Sequence, residues 1–176
     1  YEIHCRMGDH IALRRLLLKA GAECGIREFG FNALLSLRLE KGFGIWSAEF
    51  TQGYTPGMTG MDRWIDWGKE HFIGQAAAIK ERDGNGPSQK LVMLEIDAED
   101  ADASGYEPVW NNDSLVGFVT SGGYGHTIKK SLAMALVNND LAKEDQKLKV
   151  HVVGVEKDAK VIKMSPYDPE GLVMRV

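Results

Sequence analysis

The sequence has few cysteines and no long apolar run. Only two of its 176 residues are cysteine, and neither lies in a Cys-x-x-Cys pattern or at a zinc-ligand spacing from histidine. A disulfide-rich secreted scaffold is therefore excluded, and we interpret Cys5 and Cys24 as reduced thiols in a cytosolic protein. The longest apolar run, residues 132–137, is far shorter than the roughly 18–20 residues of a transmembrane helix, so it indicates a buried strand.

The sequence also has no excess of positive charge. The net charge is −4 and the pI is about 5.7. Because a non-specific nucleic-acid binder needs a basic face, and anionic membranes attract basic segments, neither nucleic acid nor a membrane is expected as a partner. Hydrophobic residues make up 44% of the chain and charged residues 26%, which is ordinary for a globular protein and enough to build a core.

Common catalytic and metal-binding motifs are missing too. The five histidines are scattered, no HExxH or GxSxG pattern occurs, and no metal site is expected. The glycine-rich segment 121–126 follows a predicted strand, but it lacks GxGxxG and leads into another strand, which disfavours a phosphate cradle. We interpret this segment as a tight loop whose glycines permit positive φ, or as a loop lining a ligand pocket.

The first half of the chain mixes helical and irregular segments. In residues 11–20, Ile11, Leu13 and Leu17 recur at helical spacing and Gly21 follows as a C-terminal stop. The other predictions for this half are a strand over 1–6, helices over about 31–41 and 73–82, a loop over 42–60, and either a helical turn or a strand over 62–69.

The second half has the period of β-strands. The change falls at residues 83–87, Asp-Gly-Asn-Gly-Pro, which we take as the domain boundary. Strands are predicted over 91–96 and 131–137, one hairpin over 109–120, a second over 147–164 that turns at residues 156–158, and a solvated acidic loop over 97–102. Short strands at this spacing favour a small barrel or sandwich.

The start of the chain carries an isolated carboxylate. Glu2 stands in an otherwise apolar and aromatic strand start, where it is either exposed or buried against a donor-rich partner. The amino-amide edge of a pterin presents adjacent N–H donors that one carboxylate can accept together. The chain opens at Tyr1 inside this predicted strand without a signal or transit segment, which is typical of a fragment of a longer protein; a trimmed but complete chain is the alternative.

Seven segments, in order and spacing, resemble the glycine-cleavage T-protein, or aminomethyltransferase, family. They are residues 1–3 (YEI), 36–42 (SLRLEKG), 55–56 (TP), 72–77 (FIGQAA), 90–92 (KLV), 116–122 (VGFVTSG) and 131–137 (SLAMALV). The resemblance implies an α+β fold: the end of the folate-binding aminomethyltransferase domain over 1–84, followed by a C-terminal antiparallel β-barrel over 88–176. Within the family, segments 122–127 and 130–133 are most similar to dimethylglycine and sarcosine dehydrogenases.

The resemblance also implies a function. In such dehydrogenases a flavin-binding N-terminal part oxidises an N-methyl amine, and the C-terminal part holds tetrahydrofolate, which captures the one-carbon unit. Tetrahydrofolate is therefore the cofactor expected here, with FAD in a preceding part of the parent enzyme and a methylated amine as substrate. The family's catalytic aspartate would precede Tyr1, so no catalytic residue is expected in this chain, which alone would be inactive.

The same resemblance assigns site residues. Glu2 matches the family glutamate that hydrogen-bonds the pterin ring, and Tyr1 and Tyr124 are further candidates for folate contact. A cytoplasmic location is expected, or the mitochondrial matrix in a eukaryote, and a homo-oligomer is a possible assembly.

Two departures argue against a plain glycine-cleavage enzyme. Leu34 stands where the T-protein has an arginine involved in folate binding, and Met58 replaces a glutamate. The alternatives that stay open are an aminomethyltransferase or folate-dependent demethylase without flavin, and a non-catalytic binding or scaffolding module.

Overall fold

The computed structural model describes residues 2–175 and shows a helical N-terminal part followed by a closed antiparallel β-barrel. The helices are α1 (His10–Ala20), α2 (Phe31–Glu40), α3 (Pro56–Thr59) and α4 (Gln75–Asp83). The strands are β1 (Gln89–Ile96), β2 (Pro108–Asn111), β3 (Ser114–Gly125), β4 (Lys130–Asn138), β5 (Lys147–Val152) and β6 (Val155–Ile162). The α+β fold class is therefore confirmed, and the chain divides into two compact units, Tyr1–Leu34 and Leu35–Val176.

The first unit contains α1 but little core. The predicted helix is confirmed, and Gly21 follows it as the C-cap. Every residue that the structure describes in this unit keeps some solvent exposure, and Ile11 and Leu16 are each more than half exposed. A bidentate ion pair joins Arg14 to Glu28, with N–O distances of 2.7 and 2.5 Å.

The strand predicted over residues 1–6 is wrong for residues 2–6. Residues 2–6 are irregular and Met7–Asp9 forms a 3-10 turn, while Tyr1 lies outside the described residues. A strand requires a ladder of hydrogen bonds to a neighbour, and no described segment supplies that neighbour to residues 2–6.

The barrel has the strand order β1-β4-β3-β2-β5-β6 and closes by pairing β1 with β6. Its central strand, β4, is buried on both faces. Ala133, Ala135 and Val137 face the barrel interior, whereas Leu132, Met134 and Leu136 pack in the cluster that includes Leu39 and Met58. Because both faces are apolar, the strand reads as one continuous hydrophobic run rather than an alternating one, and the predicted buried strand is confirmed.

Two predicted loops turn out to be strand. The glycine-rich segment continues β3 as far as Gly125, because β4 pairs with it from Ser121↔Met134 to Gly125↔Lys130. A Cβ on Gly122 would lie 2.1 Å from the carbonyl oxygen of Ala103, so glycine there permits a close backbone approach rather than a loop. Residues 156–158, predicted as the turn of the second hairpin, lie inside β6; the turn is Val153-Gly154, both at positive φ.

The remaining differences are small. The segment predicted as loop over 42–60 contains the single-turn α3, in which the Met58 N–H donates to the hydroxyl of the N-cap residue Thr55 at 3.2 Å. Residues Asp62–Trp64 form a 3-10 turn, and α4 begins and ends within two residues of its prediction. The acidic segment 97–102 is largely exposed and irregular, as expected.

Within residues 2–175, none of the helices has the length and apolar content to cross a membrane.

Candidate functional site

The predicted folate contacts lie in different units of the chain. Glu2 belongs to the first unit; its side chain is 85% exposed, and its Oε1 lies 3.3 Å from His4 Nε2. Tyr124 belongs to the second unit at the end of β3, where its ring meets that of His126 edge-to-face at 5.1 Å. Tyr1 lies outside the described residues. The folate-binding roles of all three stay predictions.

Residues 36–42, which we call the α2 latch, tie helix α2 to the end of β3. The Ser36 hydroxyl donates to the backbone carbonyl of Tyr124 at 2.7 Å. Glu40 is 1% exposed, and its Oε1 accepts from the N–H groups of Thr127 at 2.6 Å and Ile128 at 3.0 Å. Its Oε2 accepts from the Thr127 hydroxyl at 2.8 Å. The turn that connects β3 to β4 is therefore folded around a buried carboxylate.

Glu49 is a second buried carboxylate and organises the loop after α2. It is fully buried; its Oε2 accepts from the Ile45 N–H at 2.9 Å and from Arg38 Nη1 at 3.2 Å. Its Oε1 accepts from the Ser121 hydroxyl at 2.5 Å. Arg38 also donates to the Phe43 carbonyl at 3.3 Å. One carboxylate thus joins the latch, the loop and β3, since each contributes a donor.

An aromatic groove lies on the loop that Glu49 holds. Trp46 and Phe50 meet edge-to-face with ring centroids 6.2 Å apart. The groove has a volume of about 430 Å³ and an uncharged lining of Gly44, Trp46, Phe50, Thr51, Tyr54, Pro56, Thr59 and Met61. Small-molecule sites are typically apolar concavities of about this size with a few polar groups. The arrangement suits a flat, uncharged chemical group.

Sequence reasoning missed this groove, because residues 42–60 were predicted only as loop. A usable pattern was present: Trp46, Phe50 and Tyr54 recur every fourth residue, with Glu49 between them. Gly44 contributes to the groove for a steric reason. A Cβ at that position would lie 2.7 Å from Phe50 Cζ, so a larger residue would displace the ring.

The C-terminal segment docks on the latch through Lys41. Lys41 Nζ lies 3.1 Å from Asp168 Oδ2, and both side chains are nearly buried. The lysine also donates to the backbone carbonyl of Asp168, and the Tyr167 N–H donates to the Glu40 carbonyl at 3.0 Å. The second carboxylate oxygen of Asp168 accepts from the Leu172 N–H at 2.7 Å. Asp168 therefore closes the tail onto the end of α2.

We expect this docking to weaken in acid. Burial raises the pKa of the Asp168 carboxyl, but the hydrogen bonds from Lys41 and from the Leu172 and Val173 N–H groups lower it, and the net pKa lies below its ordinary value. A depressed pKa means that the stabilisation is fully present above about pH 4 and is lost as pH falls through the lower folded pKa. Titrating the Leu172 amide by NMR should give a midpoint below the ordinary pKa of an aspartate carboxyl, and Lys41→Met should move it upward. Equal midpoints in the two proteins would contradict the ion pair.

Other reactive groups are not clustered. Cys5 and Cys24 are both free and exposed. In the part of the chain that the structure describes, no three His, Cys, Asp or Glu side chains converge as a metal-ion site.

Two models of one protein family match the parts of the chain that contain the α2 latch and the barrel. A family model described as the glycine cleavage T-protein C-terminal barrel domain matches residues 89–168, and one described as the GCVT N-terminal domain matches residues 1–69. The chain belongs to the glycine cleavage T-protein family. The resemblance carried by the seven sequence segments is confirmed, and the α2 latch lies within the part matched by the N-terminal domain of the family.

Relatives in the family fall into two groups of enzymes. The chain is 36% identical over 163 residues to the mitochondrial dimethylglycine dehydrogenase of Homo sapiens, covering 92% of this chain and 19% of that protein. It is 32% identical to the aminomethyltransferase of Geobacillus sp. (strain WCH70), covering 92% and 44%. The chain thus spans less than half the length of either relative.

A solved structure shares the fold. The glycine cleavage system aminomethyltransferase T from Bartonella henselae superimposes with a TM-score of 0.81 over 90% of this chain and 44% of that chain. Because the two sequences are 23% identical, the likeness establishes the fold alone.

Proposed function

We propose that this chain is the tetrahydrofolate-binding C-terminal region of an FAD-dependent dehydrogenase of the dimethylglycine or sarcosine type. The parent enzyme would oxidise a methylated amine, and the one-carbon unit would pass to tetrahydrofolate. The flavin and the catalytic aspartate would be held by residues outside this sequence. The location would be cytoplasmic, or the mitochondrial matrix in a eukaryote, and a homo-oligomer would be the assembly to test for.

The proposal rests on a higher sequence identity to the dehydrogenases than to the aminomethyltransferases. Identity is 35–36% to the mammalian dimethylglycine dehydrogenases and 31–33% to the bacterial aminomethyltransferases. Leu34 and Met58 point the same way, because each replaces a charged residue expected in the T-protein. Neither residue can make the ion pair or charge-assisted hydrogen bond of the side chain it replaces.

The residues present suit the chemistry of a folate. Glu2 is an accessible carboxylate that can accept two adjacent N–H donors, as the amino-amide edge of a pterin would present. The aromatic groove, taken by itself, has an uncharged lining that suits an aromatic ring. When bound, tetrahydrofolate supplies the amine nitrogens that take up the one-carbon unit. The part of this chain would be to orient the ligand and shield it from water.

A second candidate is an aminomethyltransferase without flavin. The 32% identity to the Geobacillus enzyme supports it. This chain covers 44% of that enzyme but 19% of the human dehydrogenase. The candidate from another class is a non-catalytic binding or scaffolding module that kept the fold and lost the cofactor.

The test is activity of the natural polypeptide that carries this sequence. We expect a yellow, flavin-containing protein that reduces an artificial electron acceptor with sarcosine or dimethylglycine. We also expect it to release less formaldehyde when tetrahydrofolate is present. A flavin-free polypeptide that transfers an aminomethyl group instead would establish the transferase, and a protein with neither activity nor folate binding would favour the scaffolding module.

A further inference from the structure

The turn between β3 and β4 is held by a side chain that is distant in sequence. Its backbone N–H groups at Thr127 and Ile128 both point at Oε1 of Glu40, a residue on α2 that is 87 and 88 positions away in sequence. The Lys129 N–H closes the turn on the carbonyl of Gly125 at 2.7 Å, and Lys129 itself takes a positive φ of 57°. A left-handed backbone at a lysine is costly, so surrounding contacts must hold the turn in this form.

The carboxylate of Glu40 is compensated by hydrogen bonds alone. No lysine, arginine or histidine among residues 2–175 pairs with it within 4.0 Å, and its three donors all come from Thr127 and Ile128. Its neighbours in the latch do have charged partners, since Arg38 pairs with Glu49 and Lys41 with Asp168. A buried carboxylate without a counter-charge is a poor source of stability. Such a group is better explained by the conformation that it imposes.

The geometry points to a role for that conformation. The turn begins directly after Tyr124, the carbonyl of which is held by Ser36, and it includes His126, the ring of which packs on Tyr124. A Cβ on Gly125 would lie 3.0 Å from Glu40 Oε1, so the carboxylate lies against the backbone between the two rings. Ser36 thus holds the chain at Tyr124, and Glu40 holds it three and four residues later.

We propose that Glu40 is a positioning residue for tetrahydrofolate: it holds the Tyr124–His126 pair in the orientation that contacts the ligand. This inference rests on the proposed function. Glu40 itself touches neither ring through its side-chain hydrogen bonds, and it acts through the backbone of Thr127 and Ile128. Ser36 contributes to the same effect through a single hydrogen bond.

The experiment measures the dissociation constant for tetrahydrofolate by titration in the natural polypeptide, alongside its melting temperature. Glu40→Ala should raise the dissociation constant at least tenfold. Glu40→Gln keeps an oxygen acceptor for the two N–H groups and should recover most of the affinity. Ser36→Ala, a mild change at a half-buried position, should raise the constant about two- to fivefold, and it keeps the test valid if Glu40→Ala does not fold. The matched control is Val150→Ala in the barrel interior, which lowers the melting temperature without touching the turn.

The outcomes separate two failures. If the dissociation constant in Glu40→Ala rises no more than in Val150→Ala, Glu40 has only a structural role and the inference is wrong. If Glu40→Ala does not fold, wild-type binding by Ser36→Ala overturns the inference instead. If the wild-type polypeptide does not bind tetrahydrofolate at all, the proposed function itself is overturned and this inference with it. Selective weakening in Glu40→Ala with recovery in Glu40→Gln supports the positioning role.

Discussion

Replacing Glu49 with alanine should lower the free energy of unfolding by about 3–5 kcal/mol, the usual cost of removing one partner from a buried ion pair. Glu49 is fully buried and Arg38 is only 10% exposed, so the guanidinium left behind cannot be resolvated. The Ile45 N–H and the Ser121 hydroxyl would lose their acceptor in the same step. The aromatic groove should loosen as well, because the loop that carries Trp46 and Phe50 is anchored by this carboxylate.

Urea denaturation followed by circular dichroism measures this effect. The matched control is Glu28→Ala, which removes an equally well-formed ion pair with Arg14 at the surface and should cost no more than about 1 kcal/mol. Combining Glu49→Leu with Arg38→Met removes both charges and should restore much of the loss. A loss below about 1 kcal/mol for Glu49→Ala would mean that the network contributes little to stability.

Replacing Glu2 with alanine should weaken tetrahydrofolate binding by about 1–3 kcal/mol, or roughly 5- to 150-fold, in the natural polypeptide. The expectation follows from the two adjacent hydrogen bonds that a carboxylate can accept from a pterin edge. Stability should hardly change, since the side chain is 85% exposed and its one described polar contact, with His4, is at the surface. Calorimetric titration measures the affinity directly.

Two variants distinguish this contact from a general charge effect. Glu2→Gln keeps the shape but turns one acceptor into a donor, so it should bind nearly as weakly as the alanine variant. His4→Ala removes the neighbour at 3.3 Å and should leave affinity unchanged. An unaltered affinity in Glu2→Ala would remove Glu2 from the site.

Local pattern was enough to predict most regular elements of this chain. Helix α1 follows from apolar residues at helical spacing with Gly21 after them, and β4 from a six-residue apolar run too short to be anything but a buried strand. The family resemblance needed only ordered short segments, which the comparisons confirm. The short β2–β3 hairpin was also predicted, because turn-forming residues separate two apolar runs.

Pairing between distant segments decided what local pattern could not. The glycine-rich segment was predicted as loop because glycines permit positive φ, yet β4 pairs with it as far as Gly125. The opposite happened at residues 2–6, where a strand-like sequence has no described partner. The last hairpin turned at Val153-Gly154 because the register pairs Val152 with Val155.

By itself, the sequence determined the family, the α+β class and the order of the elements, since these depend on periodicity and short motifs along the chain. Only the tertiary structure decided that Glu40 and Glu49 are buried, what each one holds, and that Trp46, Phe50 and Tyr54 line one groove. The physical reason is that a charged side chain is buried only where donors compensate it. Those donors stand as far as 72 residues from Glu49 and 88 from Glu40 in sequence.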